Sequence, residues 1–255
     1  MTRTPRERLE RAVALVEEEQ AAVEAERDAY RRFAKRLDAI EPTEVVQTEM
    51  AATSAATAVS TGTNAQCNAL ARIERAYRET VMATPDFEQQ YGESFTAHFT
   101  REFGAELATR LHNARVLTPA LYGGLQQAAA TAVHDRKRYY RILRREYDSM
   151  TACAKAVQNI HGSLQEIHSR LETDLESPVL GTLDAELAEL ETKCDPRLTN
   201  RQQLVADRTA KTFGEFEDMR LTQYLYGELE VVYPALCTLA ECLRTIRNCR
   251  QRCLQ

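Results

Sequence analysis

The chain has 255 residues, of which 44% are hydrophobic and 28% are charged, and its formal net charge is −5. This length suits one or two domains with a buried core, and the acidic balance excludes a strongly basic nucleic-acid binder. The first residues hold no apolar signal core, and no stretch of about 20 residues is uncharged and apolar. We therefore expect no secretory signal and no membrane span, and a cytoplasmic location with the seven cysteines reduced follows by elimination.

Residues 1–41 are predicted to form one long N-terminal helix. Thr4 can cap it, and Pro5 suits its first turn. It should end at Glu41, because Pro42 disfavours helix in the residue before it. Apolar residues recur there every seven positions, as in a coiled-coil seam. They are Leu9, Val16, Val23, Tyr30 and Leu37.

Residues 42–63 are small and rich in hydroxyl groups, with little charge, so we predict a flexible linker. A central helical segment is predicted to follow over residues 64–177. Its first helix should run from about residue 64 to residue 83, because Pro85 then stops it.

Within the central segment, residues 87–113 form a short aromatic-rich part. Two glycines interrupt it, which predicts two short helices near 94–103 and 104–113. Aromatic residues at about helical spacing indicate rings that fill a core. These residues are Phe87, Tyr91, Phe95, Phe99 and Phe103.

The longest predicted helix starts at Thr118, where a hydroxyl cap precedes Pro119, and runs to about Ser177. Gly162 is a weak point at which a bend is expected, since glycine costs about 1 kcal/mol relative to alanine in a helix. A second heptad ladder runs along this helix. Its members are Leu143, Met150, Val157, Leu164 and Leu171.

Residues 178–255 are predicted to form a C-terminal helical segment of two helices. The first should end at Pro196, and the last should run from Thr199 or Asn200 to the C-terminus with a kink at Pro234. A third ladder supports this last helix. It contains Leu225, Val232, Leu239, Ile246 and Cys253.

These elements together predict an all-α protein: a bundle or extended antiparallel hairpin of long coiled-coil-like helices. Strict apolar alternation rich in β-branched residues is missing from the sequence, so we expect no sheet. We expect the segments to belong to one helical domain in total.

A resemblance covers about two thirds of the chain, and the strings that carry it lie within residues 75–146. Its strings AYRETVMATPDFEQQYGES, FTREFGAELATRL and LTPALYGGLQQAA resemble an uncharacterised haloarchaeal helical, coiled-coil-rich domain family of unknown function. Members of that family share a first helix rich in glutamate and arginine. The resemblance implies a halophilic archaeal host and a helical architecture. It implies no known activity, so no functional residue is carried over.

Four cysteines, Cys237, Cys242, Cys249 and Cys253, lie near the C-terminus, and the last three are spaced so that they share one helix face. Thiolates at such spacing can bind a soft metal such as zinc. The spacing lacks the Cys-x2-Cys pair of common zinc sites, and cysteine also fills small seam positions in helical cores. We expect these residues to pack, with no metal and no cofactor. A metal or redox role and an intermolecular disulfide formed on oxidation are the alternatives.

A basic run with two tyrosines follows the start of the longest helix, and such helices can track phosphates. The same side chains can instead pair with the glutamates of the first helix, which include Glu24 and Glu26, or lie on a solvated face. We favour the charged face and keep an anion or nucleic-acid patch as the alternative. The residues are Arg136, Lys137, Arg138, Arg141, Arg144 and Arg145.

The sequence holds no phosphate-binding glycine loop and no nucleophile or metalloprotease motif, so we predict no catalytic residue and no enzyme. The favoured function is a helical scaffold or adaptor that forms a homodimer or binds a protein partner. Two alternatives stay open: a nucleic-acid-associated regulator that uses residues 136–145, and a thiol-based metal or redox sensor that uses the C-terminal cysteines.

Overall fold

The computed structural model describes residues 4–43, 60–85, 87–171, 177–209 and 221–254. Throughout these ranges the regular structure is helical, which confirms the all-α class. The helices are α1 (Pro5–Leu37), α2 (Ser60–Arg78), α3 (Phe87–Gln90), α4 (Phe95–Phe103), α5 (Ala105–Asn113), α6 (Pro119–Leu171), α7 (Ser177–Thr209), α8 (Leu221–Tyr226) and α9 (Pro234–Cys253). Among the helices of the described ranges, none has the length and apolar character that crossing a bilayer requires.

The predicted helix starts are built by side-chain caps. The Thr4 hydroxyl accepts a hydrogen bond from the Glu7 backbone N–H at 3.2 Å, and the Glu7 carboxylate accepts one from the Thr4 N–H at 2.8 Å. The Thr118 hydroxyl accepts from the Leu121 N–H at 3.2 Å at the start of α6. Gly104, with φ of 85°, separates α4 from α5, because side chains disfavour that backbone conformation.

The chain packs into two compact units, whose boundaries fall inside α1 and α6. Unit 1 consists of Met1–Glu19 and Leu143–Gln255, and unit 2 of Gln20–Ile142. Most of the predicted linker, residues 44–59, lies outside the described residues. Helix α2 already begins at Ser60, within the last predicted linker residues.

Unit 1 is a ring of helices joined by polar contacts around an apolar centre. Arg8 of α1 pairs with Glu241 of α9 at 3.1 Å, and α9 in turn pairs with α7 through Arg250 and Asp184 at 2.9 Å. Arg201 of α7 donates to the Glu146 carboxylate of α6 at 2.7 Å. Tyr147 of α6 is in turn hydrogen-bonded to Glu17 of α1. The buried apolar residues come from all four helices and include Leu9, Val16, Leu143, Met150, Val157, Leu183, Leu187, Leu239 and Ile246.

Unit 2 has an aromatic core centred on Tyr77 of α2. The Tyr77 ring meets four phenylalanine rings with centroid distances of 5.1–5.7 Å, mostly edge to face. One of these rings comes from α1 and three from α4, so the aromatic segment packs as core, as predicted. The four are Phe33, Phe95, Phe99 and Phe103.

The prediction that a helix ends at Pro196 is wrong, because α7 continues through Pro196 to Thr209. An interior proline removes a backbone hydrogen bond and costs about 3 kcal/mol. The segments before and after Pro196 nevertheless bury the same face of α7, because Cys194 and Arg201 are both buried. Tertiary packing of α7 therefore outweighs the local preference of Pro196.

The prediction of one long last helix kinked at Pro234 is also wrong. Helix α8 ends at Tyr226, and α9 starts with Pro234 at its first position. Proline suits that position because its missing N–H has no helical partner there, and Tyr233 before it has a non-helical ψ of 66°. The third ladder thus spans two helices, and its member Val232 lies half-buried between them.

Replacing Pro196 by alanine should stabilise the protein, because α7 is already helical there and Pro196→Ala restores a backbone N–H. We expect the free energy of unfolding to rise by about 1–3 kcal/mol in urea titrations followed by circular dichroism. The matched control is Pro234→Ala, which should change stability by less than about 1 kcal/mol, because proline is well tolerated at a first helical position. A loss of stability in Pro196→Ala would show that α7 is not continuous.

Candidate functional site

A buried polar cluster in unit 2 joins α1, α4, α6 and Tyr91, the residue that follows α3, through Arg136. Its Nε donates to Glu26 Oε2 at 3.1 Å, and its Nη2 donates to Glu102 Oε2 at 2.6 Å. The guanidinium also lies over the Tyr30 ring, 4.7 Å from its centroid. The Tyr30 hydroxyl donates to Glu102 at 2.8 Å and the Tyr91 hydroxyl to Glu26 at 2.7 Å. One cation thus holds two carboxylates, each of which also accepts from a tyrosine.

The electrostatics of this cluster keep Glu102 ionised. Burial works against its charged form, but the attraction of Arg136 and the hydrogen bonds from Tyr30 and Arg136 outweigh burial, so the pKa of Glu102 lies below its usual value. Burial also raises the pKa of Tyr30 well above 10, so that hydroxyl remains a donor. The cluster is therefore a set of charge-assisted hydrogen bonds at neutral pH.

His98 lies beside the cluster as a neutral imidazole. It is buried, and its Nδ1 is 2.7 Å from the Tyr77 hydroxyl. Burial lowers the pKa of His98 to about 4 from the ordinary value of 6.5, and the nearby Arg101 and Arg136 act in the same direction. His98 is consequently uncharged at neutral pH and at mildly acidic pH.

A small cavity adjoins these groups. Its volume is about 10 Å³, comparable to the space that one water molecule needs. Sites for metabolites usually measure several hundred Å³, so this cavity does not fit a substrate. The residues that line it are Glu26, Tyr30, Val81, Thr84, Phe87, Tyr91, His98 and Arg136.

Unit 1 contains a second buried charge pair, between α6 and α7. Both Arg201 guanidinium nitrogens Nη1 and Nη2 donate to the Glu146 carboxylate at 2.7 Å, and the side chains are only 2% and 0% exposed. The Tyr226 hydroxyl of α8 donates to Glu146 at 2.6 Å. Because Glu146 receives three short hydrogen bonds, its buried charge is well compensated.

The predicted basic run is divided between one largely buried residue and five exposed ones. Arg136 differs from the expectation of an exposed patch: its side chain is only 19% exposed and points to Glu26 and Glu102, which fits the predicted pairing with the first helix. The other members, Lys137, Arg138, Arg141, Arg144 and Arg145, are exposed. Of these, Arg144 pairs with Asp148 one turn further along α6, at 3.2 Å.

The three candidate cysteines, Cys242, Cys249 and Cys253, are all buried in α9. Burial raises the pKa of Cys242 to about 11, and Cys194 of α7 behaves alike, so both are protonated thiols at neutral pH. Among the residues that the structure describes, no three His, Cys, Asp or Glu side chains are grouped closely enough to hold a metal ion. These thiols occupy positions in the helical seam.

The sequence interpretation did not single out Glu102, His98, Glu146, Arg201 or Tyr226. Two of these carried a visible signal, since Glu146 follows Leu143 by three residues in the second ladder and Arg201 follows Cys194 by one heptad. A charge at a seam position indicates a buried partner. Glu102, His98 and Tyr226 meet residues far away in sequence, which spacing does not reveal.

Comparison with known proteins places the whole helical array in one family. The profile of a domain family, DUF7260, described as a domain of unknown function, matches residues 7–250. The chain belongs to the DUF7260 family. The match covers α1 to most of α9 and therefore includes both units and both buried charge clusters of this DUF7260 domain. Searches of curated proteins and of solved structures found no match.

Removing Arg136 should destabilise unit 2, because Glu26 and Glu102 would then be buried without their cation. For Arg136→Met we expect a loss of about 2–4 kcal/mol in the free energy of unfolding, measured by urea titration of the full chain. Lys137→Met is the matched control, because Lys137 is exposed on the same helix, and should change stability by less than about 0.5 kcal/mol. Equal stability of the two variants would contradict the role of Arg136.

Stability should fall between pH 7 and pH 5 because of His98. Its folded pKa of about 4 lies below its ordinary 6.5, so the unfolded chain takes up a proton in this window while the folded chain does not. The resulting loss is about 2 kcal/mol. Urea titrations at both pH values should show this loss in the wild type and in the exposed-site control His161→Asn, but much less of it in His98→Asn. A similar pH dependence in all three proteins would contradict the prediction.

Proposed function

We propose that the protein is a cytoplasmic helical scaffold or adaptor that acts by self-association and has no catalytic activity of its own. One observation supports this proposal most directly: in the described residues, buried charges pair with each other across helices, as in Arg136 with Glu102 and Arg201 with Glu146. The adjoining cavity in unit 2 has room for about one water molecule. Polar groups that join helices in this way stabilise the arrangement of the helices.

The proposed self-association surface lies at one end of the α7–α9 pair. Asp184 pairs with Arg250 and Glu191 with Arg247, so α7 and α9 run antiparallel. If the same antiparallel pairing is continued along the two helices, Val179 of α7 lies at about the same height along the pair as Leu254 after α9. The large apolar side chains exposed in the described residues are Val179, Tyr224 and Leu254.

The heptad ladders support coiled-coil-like packing, but their apolar side chains are already buried within the single chain. Leu9, Val16 and Val23 of the first ladder are buried, as are Met150 and Val157 of the second. A second copy would therefore have to meet polar helix faces and the few exposed apolar residues. Such an interface is sensitive to salt because charged side chains surround it.

The two alternative functions have weaker support. A nucleic-acid regulator would use residues 136–145, but Arg136 is withdrawn into a pair with Glu26 and Glu102. Of the C-terminal cysteines on which a thiol-based metal or redox sensor would rely, Cys242, Cys249 and Cys253 are buried and Cys237 is half-buried.

A halophilic archaeal host belongs to the same proposal. Only five of the 33 basic residues are lysine, and acidic residues outnumber basic ones. Few lysines and many carboxylates keep a surface hydrated in concentrated salt. The oligomeric state should accordingly be measured both in multimolar KCl and in dilute buffer.

The test is size-exclusion chromatography with light scattering over a range of protein concentrations. We expect a mass of about twice the 28.9 kDa of one chain in multimolar KCl. Val179→Asp and Leu254→Asp should lower that mass towards one chain, because a charge at an apolar contact is costly to bury. Ala240→Asp, at an exposed position elsewhere on α9, is the matched control and should leave the mass unchanged. A mass of one chain at every concentration in both buffers would contradict self-association.

A further inference from the structure

One cysteine of unit 1 differs from the others in its exposure. Free thiols are described at Cys153, Cys194, Cys242, Cys249 and Cys253, all of them buried, and at Cys237, which is half-buried. Oxidation of a thiol requires that the oxidant reach the sulfur. Of the thiols that the structure describes, Cys237 is therefore the accessible one.

Cys237 lies in the first turn of α9, inside a polar contact between α9 and α1. Its Sγ donates to Glu241 Oε1 at 3.3 Å, and Arg8 Nη1 lies 3.6 Å from the same sulfur. Arg8 Nη1 also donates to the Thr238 hydroxyl at 3.3 Å and to both Glu241 oxygens at 3.1 Å. The sulfur thus contacts a cation and a carboxylate, and the cation also binds the Thr238 hydroxyl.

Arg8 carries an unused hydrogen-bond donor at this place. Its side chain is only 9% exposed, and its buried Nε–H has no acceptor in the structure. A buried donor on a charged group without an acceptor is costly, by about 1–3 kcal/mol or more. One additional oxygen atom on the Cys237 sulfur would add an acceptor on the Nη1 side of this guanidinium, where the sulfur lies.

We propose that Cys237 is a site of reversible oxidation by hydroperoxides, and that Arg8 binds the oxygen that the sulfur gains. In the reaction a sulfur–oxygen bond forms and the peroxide O–O bond breaks. The sulfur is oxidised from thiol to sulfenic acid, and the released peroxide oxygen is reduced. With hydrogen peroxide as the oxidant, the thiol proton and the released hydroxide together form water. One small-molecule thiol condenses with the sulfenic acid to a mixed disulfide and releases water, and a second such thiol then releases Cys237 as a thiol, leaving the disulfide of the two small molecules.

The charge of Glu241 controls the rate of this reaction. Burial raises the pKa of the Cys237 thiol, and the hydrogen bond to Glu241 together with its negative charge raises it further. The thiolate is the reacting form, so oxidation is slow at neutral pH and becomes faster as the pH rises. Removing the charge of Glu241 should lower the pKa and speed up the reaction.

Oxidation also changes the contact between α1 and α9. In the reduced protein, Arg8 donates to Glu241, and the thiol donates to the same carboxylate. A sulfenic oxygen is an acceptor, so it competes with Glu241 for the guanidinium. The site therefore couples the oxidation state of one thiol to the polar contact that joins these two helices, independently of the scaffold proposal.

The experiment treats the reduced, full-length protein with hydrogen peroxide and traps sulfenic acid with dimedone, followed by peptide mass spectrometry. We expect Cys237 to be labelled in the folded protein well before Cys242 or Cys249. The variant Glu241→Gln should increase its labelling rate at pH 7 roughly threefold or more, because more thiolate is present. Glu189→Gln is the matched control, since Glu189 is an exposed glutamate of α7 that pairs with Lys193.

Circular dichroism of each variant establishes that the protein being labelled is folded. The proposal is overturned if Cys237 stays unlabelled in the folded protein or is labelled no faster than Cys242 and Cys249. It is also overturned if Glu241→Gln and Glu189→Gln give the same labelling rate. Iodoacetamide alkylation over a range of pH gives an independent readout, in which Glu241→Gln should shift the half-maximal rate at Cys237 to lower pH.

Discussion

A charge that is buried between helices needs an opposite charge, because water no longer compensates it. Unit 2 meets this requirement with Arg136 between Glu26 and Glu102, and unit 1 meets it with Arg201 and Glu146. Each pair joins different helices, so a shift of one helix along another would separate the charges. Apolar seams tolerate such shifts far better, because neighbouring rungs of a ladder are alike. The buried pairs thereby define the register in which the long helices meet.

The same requirement explains why the polar interior resembles a catalytic site without a substrate-sized space. Two carboxylates, two tyrosines and a neutral histidine lie together around Arg136, but each polar contact is directed at another protein group. The cavity beside them holds about one water molecule. Perturbed pKa values here have a structural cause, namely burial of His98 and Tyr30 next to paired charges.

Much of the fold follows from local pattern in the sequence. The ladder from Leu9 to Leu37 predicted α1, and the Thr118-Pro119 start and the break at Gly104 were placed correctly, because caps and glycines act within one turn. Pro196 and Pro234 show the limit of this reasoning. Proline lies inside α7 in one case and at the first position of α9 in the other. Whether a proline ends a helix or is accommodated within it depends on tertiary packing, which a local sequence pattern does not contain.

The sequence by itself determined that this protein is built of long helices and which of their faces are apolar, since periodicity and capping are local properties. Only the tertiary structure decided which charges meet: Arg136 with Glu102, Glu146 with Tyr226, and Arg8 with Glu241. It also decided that Cys237 differs from the other described cysteines. The physical reason is that burial and Coulomb attraction depend on distances in space, between residues that lie up to 233 positions apart in the chain.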